Sequence, residues 1–202
     1  MTQQEPTVYD LAYRGRTAAV KILLNESERL KTQTDNNGRM LIHWAALGGH
    51  DDLVRHLLSL DVPVDPEDDT NMTPLILAAS AGREKVVNTL LTEGADVNAT
   101  TVDGHSALQY AASKNWKAIC MALLEKDANV NIADKRDQRD AYGNTPLHLA
   151  CEEDRVEEAK LLVARGADPT ITNKERKTPL DLASRGLVRQ LEEIKRETAK
   201  SK

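Results

Sequence analysis

A segment of 33 residues recurs along this chain, and that period constrains the fold more tightly than any single motif. The clearest copy spans 68–100, in which Asp68 to Ala99 reads DDTNMTPLILAASAGREKVVNTLLTEGADVNA. Thr73 offers an N-cap hydroxyl, and Pro74 stands at the first helical position, where a missing N–H costs nothing. Leu75, Ala78 and Ala79 then set small apolar groups on one face of a helix of about two turns, which is too short to be stable alone. Gly82 suits the left-handed residue that ends it. Glu84 opens a second helix with Val86, Val87, Leu90 and Leu91 on its buried face, and Gly94 closes it. Met40, Ser106, Thr145 and Thr178 occupy the place of Thr73, so successive steps are 33, 33, 39 and 33 residues.

The turn-to-helix segment stands intact as Thr145-Pro146-Leu147-His148 and altered as Met40-Leu41-Ile42-His43 and Thr178-Pro179-Leu180-Asp181. At this period it resembles the ankyrin signature. The resemblance implies an all-α solenoid of about six helix-turn-helix repeats with protruding β-turn loops, in which each repeat packs only on its neighbours. The expected boundaries are an N-terminal capping repeat at 1–34, repeats at 35–67, 68–100, 101–133 and 143–172, a C-terminal capping repeat at 173–194, and a polar tail at 195–202 that frays. The capping repeat lacks the Thr-Pro start, and Ala19, Val20, Leu23 and Leu24 supply its outer stripe. The 39-residue step leaves an irregular charged junction at 134–142, DKRDQRDAY. Two readings fit it: the loss of one repeat's helical body, or a loop inserted between adjacent repeats. Both place a protruding loop there and pack the fourth and fifth repeats on each other.

Composition narrows the function. Aromatic residues make up 3% of the chain, with no Phe, which suits a core of Ala and Leu between closely packed helices. A net charge of −5 argues against a nucleic-acid or anionic-membrane surface. No apolar run approaches the ~20 residues of a membrane span, and MTQQEPT at the start lacks the pattern of a signal peptide, so a cytoplasmic and nuclear monomer is expected. Cys120 and Cys151 fall in apolar settings and read as buried reduced thiols. His148 and Cys151 share a helix face, but a zinc site needs three or four ligands and no further ones are evident, so no metal and no cofactor is expected. His43 and His148 hold the turn position at which a ring ties neighbouring turns by hydrogen bonds. No nucleophile–base pair, carboxylate pair in a pocket or phosphate loop is visible, which points away from an enzyme.

In such a stack, partners meet the turn tips and the exposed face of the inner helices. By register that surface comprises Tyr13 and Arg14, Leu47 and Gly48, Ser80 and Ala81, Ser113 and Lys114, and Glu152 and Glu153. Arg39, Asp69, Met72, His105, Tyr142 and Lys177 join it at the tips. Its charge alternates: acidic at Asp65, Glu67, Asp68 and Asp69, basic at Lys114 and Lys135 to Arg139, acidic again at Glu152 to Asp154. Exposed ion pairs are worth only ~0.2–1 kcal/mol, so the charges set orientation and on-rate while large side chains supply affinity. Tyr13, Trp44 and Met72 are the large side chains near this face. Trp44 reads equally as an anchor or as a core residue between repeats.

Several stretches go beyond what the ankyrin pattern requires: Gly143 to Lys160 (GNTPLHLACEEDRVEEAK), Leu108 to Asn115 (LQYAASKN), Ala78 to Arg83 (AASAGR) and Asn173 to Leu180 (NKERKTPL). In these the chain resembles the gankyrin family, ankyrin-repeat assembly chaperones of the proteasome regulatory particle. The resemblance implies a non-catalytic role: holding the C-terminal domain of an ATPase subunit. The contacting residues would be Tyr13, Arg39, Trp44, Asp69, Met72, Ser80, Ser113, Lys114, Glu152 and Glu153. Met72 stands where the family carries Trp, which implies a weaker anchor, and the family carries one repeat more. The family's link to the retinoblastoma protein runs through Leu-x-Cys-x-Glu, here Leu149, Cys151 and Glu153. That motif is used in extended form, whereas these residues fall on an expected helix. The alternative function is an ankyrin-type regulator of a cyclin-dependent kinase.

Overall fold

The structure, a computed structural model, describes residues 6–132 and 143–200. The junction expected at 134–142, with Tyr142 and Lys135 to Arg139, lies outside the described residues. Twelve α-helices form among the described residues: α1 (Val8–Tyr13), α2 (Thr17–Glu26), α3 (Leu41–Gly48), α4 (Asp51–Leu58), α5 (Pro74–Ser80), α6 (Glu84–Thr92), α7 (Ala107–Ser113), α8 (Lys117–Glu125), α9 (Pro146–Glu152), α10 (Val156–Ala164), α11 (Pro179–Leu182) and α12 (Arg185–Lys200). The chain divides into two compact units, 1–96 and 97–202, with α1 to α6 in the first and α7 to α12 in the second.

Each first helix of a pair starts the same way for the same reason. Its leading N–H groups have no partner within the helix, so a side chain supplies one. The hydroxyls of Thr7, Thr73, Ser106, Thr145 and Thr178 accept the N–H three residues on. Met40 has no hydroxyl to offer; at α3 the His43 ring instead turns back, its Nδ1 accepting the Met40 N–H at 3.0 Å. Gly82 and Gly94 adopt the left-handed conformation after α5 and α6, with φ of +70° and +87°.

Small residues decide how the pairs stack. Ala45 and Ala46 on α3, Ala78 and Ala79 on α5, Ala111 and Ala112 on α7, and Ala150 and Cys151 on α9 are all buried. In the first unit α1 packs on α3 and α3 on α5; in the second α7 packs on α9 and α9 on α11. Ile42, Leu75, Leu108 and Leu147 fill one register between these helices, each fully buried and each worth roughly 1.5–3 kcal/mol of transfer free energy. The second helices pack likewise, α4 on α6 and α8 on α10. Their buried register reads Leu53, Val86, Ile119 and then Glu158, a carboxylate in an apolar series.

The last pair is reshaped. Ala183 turns extended and ends α11 after four residues. The long α12 covers α10 with Leu187 and Leu191 and continues through Lys195 to Lys200, past the expected start of a frayed tail. A Glu192–Arg196 pair one turn apart contributes to that continuation.

Candidate functional site

In the first unit, Asp35 and Asp68 sit one 33-residue period apart and open equivalent turns. One oxygen of each carboxylate closes its own turn, as short acidic side chains do. Asp35 Oδ1 accepts the Asn37 and Arg39 N–H groups at 2.8 and 3.0 Å, and Asp68 Oδ1 those of Thr70 and Met72 at 2.8 and 2.9 Å. The other oxygen is thereby aimed outward. Asp35 Oδ2 accepts the Trp44 indole N–H at 2.9 Å, and Asp68 Oδ2 accepts Arg39 Nε at 2.8 Å. The Arg39 guanidinium carbon lies 5.2 Å from the centre of the Trp44 ring. Tyr13 meets the same ring edge-on, centroids 6.0 Å apart and planes at 81°. Tyr13, Trp44, Arg39 and Asp68 thus form one connected run.

Burial alone pushes the Asp68 carboxyl up, but the donors from Thr70, Arg39 and Met72 outweigh it and hold the group below the usual carboxylate range. The neighbouring tips are also joined through backbone: Asp69 N–H donates to the Asn37 carbonyl at 3.0 Å. Gly38 permits this approach. Its φ is +74°, and a Cβ there would lie 2.6 Å from Asp69 Oδ1. His43 completes the tie. With Nδ1 accepting from Met40, the proton resides on Nε2, which donates to the carbonyls of Pro66 and Met72 at 2.9 and 3.1 Å. Burial lowers the ring's pKa and so favours this neutral donor. Ser80 turns its hydroxyl back onto the Leu77 carbonyl, and Met72 is half-buried beside these tips.

The second unit joins its turns with neutral groups. Asn173 Oδ1 accepts the Glu175 and Lys177 N–H groups, each at 3.0 Å, while its Nδ2 donates to Asn144 Oδ1 at 2.9 Å. Gln109 Nε2 donates to the Asn144 carbonyl at 2.7 Å, and His148 Nε2 lies 3.1 Å from the Lys177 carbonyl. Arg155 Nε donates to the Ser113 carbonyl at 3.0 Å and its guanidinium pairs with Glu153 at 3.5 Å. Lys114 and Glu152 are exposed beside them. Lys177 pairs with Glu175 at 2.7 Å, and the Lys177 amine is held above its usual range by that hydrogen bond first and by the nearby charge second.

The sequence-derived set therefore divides. Tyr13, Arg39, Trp44, Asp69, Met72 and Ser80 lie in the first unit, and Ser113, Lys114, Glu152 and Glu153 in the second. Tyr13 is 45% exposed, whereas Trp44 is half-buried, with its N–H and one ring face already engaged. Reading the residues one at a time passed over Asp35, Arg155, Asn144 and Asn173. A register comparison was the available signal: Asp35 and Asp68 recur at one period with a left-handed Gly38 or Asn71 three residues on. Leu149 and Cys151 lie on α9 in helical register, and the Cys151 thiol is buried, so the Leu-x-Cys-x-Glu motif is not presented as an extended segment. Among the described residues no three His, Cys, Asp or Glu side chains converge to hold a metal ion, and no helix is long and apolar enough to cross a membrane.

Helix pairs that stack within each unit, with tied turns, define a helical-repeat scaffold for protein–protein interaction. The family follows from comparison with known proteins. A profile described as "Ankyrin repeats (3 copies)" matches residues 9–101, 94–173 and 133–194, and the chain belongs to the ankyrin-repeat family. It is 32% identical over 155 residues, 76% of its length, to the ankyrin repeat and KH domain-containing protein mask-1 of Caenorhabditis elegans. It is 36% identical over 167 residues, 82% of its length, to the neurogenic locus notch homolog protein 1 of Homo sapiens. The chain spans only 6% of the length of each of these relatives. Proteins of this family are typically non-catalytic interaction modules.

Proposed function

We propose that this chain is a non-catalytic scaffold that holds the C-terminal domain of an ATPase subunit of the proteasome regulatory particle during assembly, in the cytoplasm and nucleus. The fold alone names no partner. The reading rests on one observation, the gankyrin-like stretch Gly143 to Lys160. It carries the Glu152/Glu153 pair on the exposed end of α9 and the first turn of α10 within a single unit. Exposed acidic groups here favour a basic partner surface, and the Tyr13, Trp44, Arg39 run in the other unit offers aromatic area of the kind that anchors interfaces.

Titration calorimetry of the full chain with such an ATPase C-terminal domain, at low and high salt, tests the proposal. The expected result is saturable binding that weakens with salt and is reduced at least about tenfold by Glu152→Lys with Glu153→Lys. Absence of binding by the folded protein would sink it. The same titration against a cyclin-dependent kinase tests the alternative, and binding there but not to the ATPase domain would replace the first reading with the second.

A further inference from the structure

The first unit holds a cleft of about 430 Å³ whose walls include Tyr9, Asp10, Tyr13, Asp35, Asn37 and Trp44. Its chemistry is one-sided. Two carboxylates and three aromatic rings line it, and no lysine, arginine or histidine does. Neither carboxylate is neutralised by an ion pair among the described residues. Asp35 is held by two backbone N–H groups and an indole N–H, and one oxygen of Asp10 by the Thr7 N–H and hydroxyl. These donors orient the charges without cancelling them. The Thr7 hydrogen bonds first, and the nearby Arg14 charge after them, lower the pKa of the Asp10 carboxyl, but Arg14 forms no ion pair with it; Arg39 is committed elsewhere, to Asp68 and to the face of Trp44. The negative potential of Asp35 reaches Tyr9: burial first and Asp35 second push its phenol up, and its hydroxyl has no partner among the described residues.

We infer that this cleft is a subsite for an arginine side chain of a protein partner, whose guanidinium lies against the exposed Tyr13 ring and donates to the Asp10 and Asp35 carboxylates. A guanidinium suits the walls better than an ammonium because it is planar, weakly hydrated and able to stack and donate at once. Charge complementarity selects a cation, and the aromatic walls select a flat one. The inference rests on the reading of the chain as a protein-binding scaffold and names the group that one end of it receives.

The test is a titration of the full chain, labelled with nitrogen-15, with acetyl-Gly-Arg-Gly amide and with its citrulline and lysine counterparts. The Trp44 indole N–H, hydrogen-bonded to Asp35, reports on the cleft, and the Trp116 indole serves as an internal control. Arginine peptide is expected to move the Trp44 signal saturably and leave Trp116 in place. Citrulline, which keeps the shape and loses the charge, is expected to bind at least about tenfold more weakly, and lysine to fall between. Asp35→Asn is expected to reduce arginine binding by about tenfold. Tyr13→Ala, which removes a 45% exposed ring and no hydrogen bond that closes a turn, is expected to reduce it severalfold and remains readable should the Asp35 variant misfold. No saturable shift, or equal shifts from arginine and citrulline, would overturn the inference; equal arginine and lysine binding would overturn its guanidinium component. The probe is a peptide, so this outcome and that of the ATPase-domain titration are independent.

Discussion

The two units solve one problem with different chemistry. Each must bind the turn of one repeat to the turn of the next. The first does it with charge, Arg39 to Asp68 at 2.8 Å with the carboxylate almost wholly buried. The second does it with amides, Asn173 to Asn144 and Gln109 to the Asn144 carbonyl. At the fourth position of the turn segment, His43 and His148 bridge through a ring and Gln109 through an amide, while the buried Ile76 has no donor to offer. A charged tie is stronger when intact but leaves a costly remnant when broken and responds to pH. A neutral amide tie leaves a smaller remnant and does not titrate. The core contrasts the other way. The second-helix register is apolar in the first unit, at Leu53 and Val86, but carries Glu158 in the second, 1% exposed and with Oε2 lacking a partner among the described residues.

The largest expected effect breaks the charged tie. Asp68→Ala strands Arg39 and two turn N–H groups and is expected to destabilise the protein by about 3 kcal/mol, against about 1–2 kcal/mol for Asn173→Ala, as measured by urea unfolding. Equal losses would erase the distinction. Next, Glu158→Leu restores the apolar register and is expected to stabilise by about 2 kcal/mol, since burying a carboxyl without full hydrogen bonding carries a desolvation cost that a leucine avoids. A loss of stability in that variant would mean that the carboxylate is satisfied after all.

A smaller effect is set by pH. The folded-state pKa of His43 lies below its ordinary value, so unfolding takes up a proton as the solution becomes acidic. Stability from this group is full above about 6.5 and is lost as pH falls through the folded value. Asp68, also lowered, adds a second loss that begins below about 3.9. His43→Gln, which copies the solution at Gln109, is expected to shrink the first window to the share left by His56, whose pKa burial and then Lys21 also lower, and to keep the second in thermal melts recorded across pH. Smallest is a kinetic effect at the thiols. Burial, then Glu158, pushes Cys120 up to about 12, and burial, then Asp154, pushes Cys151 up to about 12. Both are expected to resist a disulfide reagent in the native state and to react at the rate of unfolding, and rapid native labelling would contradict their burial.

Much of the fold is legible in the residues. Thr73, Ser106, Thr145 and Thr178 mark helix starts, and the pairs at 45–46, 78–79, 111–112 and 150–151 mark the face where one helix nears the next. Both signals are local and recur at one period, so each copy corroborates the others. The surface is less legible. Trp44 reads as anchor or core because its environment is set by Asp35, nine residues earlier, and by Arg39, which a sequence does not reveal as stacked on its ring. Glu158 sits in Val156-Glu157-Glu158-Ala159, which taken alone reads as a solvated charged turn. Only its place after Leu53, Val86 and Ile119 shows it to be buried.

The sequence by itself therefore determined the helical-repeat architecture and the family, because cap residues, small-residue pairs and period act within one repeat and its immediate neighbour. Tertiary structure alone decided which charges are spent inside the molecule and which remain for a partner. Arg39 and Asp68 lie 29 residues apart in the chain and pair with each other, while Asp35 and Asp10 line one cleft with no ion pair among the described residues. Composition counts all four alike, and only three-dimensional placement separates a closed ion pair from an open acidic pocket.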